Sequence, residues 1–262
     1  MDITTLIGVF GGMATIIIGI FLTGADPTMY IDLPSVFITV GGTTMAMFTA
    51  FPMKQLLVIP KLLGIAFFNK TGTVSHGEMI ETLVTFSEKA RREGLLALED
   101  DVDEVPDPFL QKGIQLVVDG TDPELVKNIL MTELNNIENR HGKGVEMMEL
   151  AASIAPAFGM IGTLIGLILM LRNLEDKTML GVGMSAALIT TMYGSILANW
   201  FFTPIAAKLA NKDKEELLLK EIMIEGTLSI QSGDNPRIVL DKLKSYLAPD
   251  VREKLASDEG EI

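Results

Sequence analysis

The sequence contains no cysteine, which excludes disulfides, thiol catalysis and cysteine-ligated metals. Its two histidines, His76 and His141, stand alone, and there is neither an HExxH motif nor a Walker loop, so no enzymatic activity and no cofactor are expected. One spelling does match the dinucleotide fingerprint, Gly181-Val-Gly183-Met-Ser-Ala186. That fingerprint needs a preceding strand and a βαβ unit, whereas here it opens a long apolar run, and its glycines read better as packing residues. A net charge of −13 argues against nucleic acid as a partner. The most informative absence is local: Ile3 to Ala25, Leu33 to Met53, Leu150 to Leu171 and Thr178 to Ala207 contain no Asp, Glu, Lys, Arg or His.

The shortest of these runs has 21 residues, enough for a helix of about 31 Å at ~1.5 Å per residue. A bilayer core is roughly 30 Å thick, so each run can span it. One such run could be a buried helix of a soluble protein, but four in one chain define an integral membrane protein. The first run has only Met1 and Asp2 before it and no basic leader, so it is expected to be retained as a span. Lysine and arginine set the orientation. Ten lie between Lys54 and Met148 and nine from Lys208 onward, against none in Asp26 to Asp32 and two in Arg172 to Lys177. The positive-inside rule then places both termini, the long middle segment and the tail in the cytoplasm.

No strand pattern of any length occurs, so the fold class expected is all-α. Residues 1–53 hold spans one and two, 54–148 a cytoplasmic helical domain, 149–207 spans three and four, and 208–262 the cytoplasmic C-terminal helices. Gln55 to Phe68 is apolar but contains Pro60 and Lys61, which predicts an interfacial helix, broken by Gly72 to Gly77. Ser75 with Glu78 has capping-box spacing, and Ile80, Leu83, Val84, Ala90 and Leu95 would form one buried stripe. Asp107-Pro108 and Asp122-Pro123 each supply an N-cap followed by an N1 proline. The second of these helices has no strong stop before the third span, since Gly142 and Gly144 only weaken it. The fourth span likewise should run past Pro204 to about Gln231. Short helices are expected over 235–247 and 249–256, and disorder over 257–262.

Within the spans, Gly8 and Gly12, Gly162 and Gly166, and the series Gly183, Ala187, Thr191, Gly194 and Ala198 recur at helical spacing. Small residues let backbones approach closely in lipid, either within one subunit or against partner helices. The few polar side chains include Ser153, Thr163, Ser185, Thr190, Thr191, Ser195 and Asn199. Such hydroxyls either bond their own backbone or line a polar path. No span carries a carboxylate or a histidine, and an ion path through a bilayer generally uses one. If this chain conducts, the carboxylate must come from another chain. Pro156 and Pro204 are helix bends, or paired kinks that let the cytoplasmic part move.

Several segments carry a family resemblance. Ser153-Ile-Ala-Pro156-Ala-Phe-Gly-Met-Ile-Gly162-Thr163-Leu-Ile-Gly166 resembles the third-span signature of the MotA/PomA stator proteins. Arg91-Arg-Glu-Gly-Leu-Leu-Ala-Leu-Glu99 is similar to their rotor-facing segment. Phe109 to Gly120 and Gly226 to Arg237 also match, and the likeness covers essentially the whole chain. The resemblance implies a subunit of the bacterial inner membrane, five copies of which surround two MotB-type single-span subunits that supply the ion-binding aspartate. Passage of H+ or Na+ would turn the pentamer against the rotor protein FliG. By motif match, Thr163 and Thr191, flanked by Thr190, would line the ion path. Pro156 and Pro204 would couple ion passage to movement, and Arg91, Arg92, Glu99 and Asp100 would face FliG. Arg91 and Glu99, eight residues apart, are expected to share one exposed helical stripe. The related TolQ and ExbB energy transducers share the third-span motif but have three spans, and a non-conducting scaffold is the further alternative.

Overall fold

The computed structural model describes residues 3–68, 75–102, 104, 105, 107–247, 249 and 252. The break expected over 72–74, most of the helix expected over 249–256 and the tail 257–262 lie outside the described residues. In chain order the helices are α1 (Ile3–Leu22), α2 (Leu33–Ala50), α3 (Met53–Leu56), α4 (Ile59–Phe67), α5 (His76–Glu93), α6 (Glu99–Val102), α7 (Pro108–Val118), α8 (Pro123–Arg172), α9 (Lys177–Gln231) and α10 (Pro236–Lys244). Among the described residues there is no strand. Four helices are long and apolar enough to cross a membrane: α1, α2, α8 and α9. The chain divides into two compact units, one of residues 1–70 and 141–211, the other of residues 71–140 and 212–262.

The helix starts follow from their caps. Ser75 and Glu78 form the reciprocal box, with the Ser75 N–H donating to the Glu78 carboxylate at 2.9 Å and the Glu78 N–H donating to Ser75 Oγ at 3.2 Å. Asp107 accepts from the Phe109 N–H and Asp122 from the Glu124 N–H, each at 2.9 Å and each beside a proline that has no N–H to satisfy. Asn235 does the same for α10, accepting from the Arg237 N–H at 3.1 Å.

Two expectations change in detail. The interfacial segment is two helices, because Pro60 can occupy the first turn of α4 but cannot donate back to Leu56. The helix from Ser75 stops at Glu93, where Gly94 turns at φ 92°, a conformation open to glycine and costly for other residues. A 3-10 turn, Leu95–Leu98, then leads into α6. Arg91 and Glu99 therefore do not share one helix.

α8 runs for 50 residues through Gly142, Gly144 and Pro156 without interruption. Gly144 is a notch for α4: a Cβ there would meet Leu62 Cδ2 at 3.0 Å. The second unit has its own apolar core, built from Leu83 of α5, Ile114 of α7, Leu130 of α8, Ile222 of α9 and Leu243 of α10. At its edge Lys220, only 7% exposed, donates to both oxygens of Asp107 at 2.8 and 2.7 Å and lies 5.1 Å from the Phe109 ring centre. The Asp107 carboxylate thus caps α7 and neutralises a buried ammonium at once.

Candidate ion path and partner-facing segment

In the first unit α8 and α9 meet backbone to backbone. A Cβ on Gly159 would sit 2.9 Å from the Thr190 carbonyl oxygen, one on Gly166 2.6 Å from that of Gly183, and one on Gly194 2.7 Å from that of Ala155. Only glycine permits that approach, which accounts for the small-residue spacing of α8 and α9 as packing within the subunit, whereas Gly8 of α1 has nothing within 4 Å.

The close contact brings Thr163 and Thr191 together, their Oγ1 atoms 2.5 Å apart. Thr163 Oγ1 also lies 3.0 Å from the Gly159 carbonyl and 3.3 Å from that of Ala187, and Thr191 Oγ1 lies 3.1 Å from the latter. Two hydroxyl protons serve more oxygens than they can fill, so lone pairs remain for a water or a hard cation. Thr191 is exposed and Thr163 half-buried.

Thr190 is not part of this pair. It is 1% exposed, and its hydroxyl donates to the Ala186 or Ala187 carbonyl, each at 2.9 Å. Its side chain fills the notch left by Gly162, where a Cβ would meet Thr190 Cβ at 2.5 Å, and its carbonyl lies 3.5 Å from Thr39 Oγ1 of α2. Adjacent residues on a helix point about 100° apart, and here one faces inward and the other outward.

A group that the sequence reading left in a loop lies nearby. Asp32 N-caps α2, accepting from the Ser35 N–H at 2.9 Å and also from the Ser35 hydroxyl. Its own N–H donates to the Tyr193 hydroxyl at 3.3 Å, which donates to the Tyr30 carbonyl at 2.5 Å, tying this loop to α9. Asp32, Ser35, Gly166, Thr178, Ser185 and Thr190 are among the residues lining a cavity of about 590 Å³. The legible signal was Asp-Leu-Pro-Ser, an Asx start with its proline one position later than at Asp107, Asp122 and Asn235.

Both prolines lie where the helices are irregular or crowded. Pro156 is inside α8, and a Cβ on Gly194 of α9 would come within 3.1 Å of its Cα. Pro204 follows a π-helical stretch, Leu197–Phe202. A proline ring collides with the carbonyl four residues back, here that of Trp200, and the wider π turn moves that carbonyl away.

In the second unit, Arg91 and Arg92 end α5 while Glu99 and Asp100 begin α6, and all four are exposed. Each charge suits the dipole of the helix end it occupies. The turn between them is held by Leu98, fully buried in the core, and by the Lys89–Asp101 ion pair at 2.6 Å. The hydrogen bond to Asp101 raises the Lys89 pKa above its ordinary value. Leu96 projects between the two charged pairs, 71% exposed. Helical periodicity missed it because the periodicity ends at Gly94.

Residues 101–222 match the family model described as the MotA/TolQ/ExbB proton channel family. Motility protein A of Borreliella burgdorferi is 45% identical over 99% of this chain and 99% of its own, and that of Treponema phagedenis is 42% identical over 98% of each. The solved flagellar MotAB stator complex from Bacillus subtilis contains a chain that superposes with a TM-score of 0.88 at 34% identity, covering 96% of this chain and 98% of that one. With four membrane-capable helices, the tight α8–α9 contact and full-length likeness to these relatives, this chain belongs to the motility protein A branch of the MotA/TolQ/ExbB proton channel family, the flagellar motor stator subunits.

Proposed function

We propose that this protein, in complex with a MotB-type single-span subunit, forms a cation path whose flux drives torque on FliG, with five copies around two partner helices. The observation that carries this reading is the Thr163–Thr191 pair, which gathers oxygens on an outward-facing part of α8 and α9. Among their described residues, α1, α2 and the apolar stretches of α8 and α9 carry no Asp, Glu, Lys, Arg or His, so the titrating carboxylate is the partner's aspartate. The chain provides the oxygen lining, and the partner provides the charge that binds and releases the ion. Pro156 and Pro204 are the coupling points. The protein is then an ion-driven transducer of the inner membrane and not an enzyme, with both termini, residues 54–148 and residues 208–262 on the cytoplasmic side.

The rotor contact is the corner made by Arg91, Arg92, Glu99 and Asp100, with Leu96 at its centre. Charge of both signs around an apolar residue suits a complementary rotor surface, giving register more than tight binding. The transported ion is H+ or Na+: hydroxyl oxygens coordinate sodium and also hold a water chain for protons.

The decisive experiment is ion flux into vesicles containing this protein with and without its partner, together with swimming of a deletion strain. Flux that needs both chains, and loss of swimming without an envelope defect, are expected. Flux of neither ion, or an envelope defect with normal swimming, would return the chain to a scaffold or to a TolQ/ExbB-like role. Swimming speed as a function of sodium at fixed pH assigns the ion.

A further inference from the structure

Residues 53–68 follow the second membrane-capable helix directly and form α3 and α4 of the first unit. They carry Lys54 and Lys61 and no acidic residue, in a chain of net charge −13. One side of the segment is packed on protein. Leu56 is buried with Met147 and Ala151, Ala66 with Met148 and Ile205, and Leu62 fills the Gly144 notch. Along the segment also lie Leu57 in the turn between α3 and α4, Lys61 and Ile65 one turn apart on α4, and Phe68 at the end of α4. All four are exposed, Leu57 to 70%.

A short helix that is apolar on the side away from its own protein cannot be explained by an aqueous surface, where that side would be polar. It fits a helix lying in the membrane interface, with hydrocarbon against the leucine, isoleucine and phenylalanine. Lys61 lies one turn from Ile65 on α4, so its apolar stem can cover the same surface while its ammonium reaches toward headgroup level. Neither Lys54 nor Lys61 has an ion-pair partner among the described residues. We propose that this outer face is a binding site for an anionic phospholipid, its acyl chains on Leu57, Ile65 and Phe68 and its phosphate on Lys54 and Lys61. The site would favour an anionic headgroup over a zwitterionic one of the same chain length, because only the anionic lipid leaves a net negative charge opposite the two ammonium groups.

Brominated phosphatidylglycerol and brominated phosphatidylcholine, mixed in known ratio, test this on the full chain reconstituted in its native assembly. Leu57→Trp places an indole on the face. The quenching of the native Trp200 is measured in the unsubstituted protein and subtracted. Quenching should favour phosphatidylglycerol, and each of Lys54→Gln and Lys61→Gln should weaken that preference about fivefold, roughly thirtyfold together. Lys61→Arg should retain it, and high salt should erase it in the Leu57→Trp assembly that keeps both lysines. Equal quenching by the two lipids would overturn the proposal, as would a preference that survives loss of both lysines. Absence of quenching by either lipid would also overturn it, and would show the face to be covered by a second copy of the chain or by the partner subunit.

Discussion

Gly166→Ala adds a single methyl group, and the structure says what it must displace. The new Cβ would stand 2.6 Å from the Gly183 carbonyl oxygen, 2.7 Å from the Ala187 nitrogen and 2.9 Å from Ala187 Cβ. Ordinary contact begins at 3.4 Å, 0.8 Å more than the 2.6 Å available, and the nearest atoms are backbone that cannot rotate aside. α8 and α9 must therefore part locally by about that amount. Thr163 and Ala187 lie within one turn of the contact, so the 2.5 Å Thr163–Thr191 approach would open to about 3.3 Å, beyond the usual ~2.5–3.0 Å range for a hydroxyl pair. Overpacking costs about 1–3 kcal/mol, and the better helix propensity of alanine returns about 0.8–1.0, for a net loss of about 0–2 kcal/mol. Gly181→Ala on α9 is the matched control, since its Cβ meets nothing within 4 Å and should leave stability equal or slightly raised. Thermal denaturation of the purified assembly reads the first effect and swimming in soft agar the second. If Gly166→Ala behaves like Gly181→Ala in both assays, the helix contact does not set the threonine geometry.

Thr191→Val keeps the side-chain shape but removes the outward hydroxyl, so ion flux should fall at least tenfold with assembly intact. Thr190→Val, inside the subunit, should lower thermal stability and leave flux measurable, and identical phenotypes for the two would contradict their opposite orientations. Arg91→Glu and Glu99→Lys should each slow swimming most at high load, with partial rescue by a reversed charge on FliG, and unchanged torque in the double reversal would remove this corner as the rotor contact. Asp107→Ala leaves the Lys220 ammonium buried without its partner and should cost about 2–3 kcal/mol, more than Lys220→Met, because the Asp107 carboxylate keeps the Phe109 N–H and partial solvent. Lys89 has a raised folded pKa, so its contribution is complete below the ordinary lysine value and lost as pH rises through the folded one. Alkaline denaturation followed by circular dichroism should therefore show a shallower decline above about pH 10.4 in Lys89→Met.

The parts of the fold legible in the sequence were those governed by local chemistry. Four uncharged runs, each long enough to cross a bilayer, and a recurring Asx–proline start located the helices, because capping and bilayer thickness depend on neighbours in the chain. The end of α5 was misread for a related reason. Gly94 lies inside an apolar pattern that continues in spelling to Leu95, while the chain turns there at φ 92° and Leu98 joins a core that includes Ile222 and Leu243, far away in sequence. The threonines show the same division. Their residue type marked a polar path, but only the packing of Gly162 against Thr190 shows that one of an adjacent pair is turned inward. Asp32 was read as a loop residue, since a cavity has no linear signature.

The absence of charge in the spans constrains how the proposed stator can work. On the proposed path, an ion passing along Thr163 and Thr191 would change the charge of the partner's carboxylate but of nothing in these spans, so this chain would respond only through contacts that differ between the two states of that carboxylate. Hydroxyl and carbonyl oxygens supply such a difference, because a charged carboxylate seeks donors and a neutral one also donates. The response then has to leave the α8–α9 contact, where glycines bring the backbones too close for small side-chain adjustments to absorb it. What can yield is the backbone itself, at Pro156, where one helical hydrogen bond is missing, and at the π turn before Pro204, where the ladder is already rearranged. α8 and α9 each continue from these points as unbroken helix into residues of the second unit. In the proposed mechanism, a change in bend at either proline would be passed on along the helix that carries it.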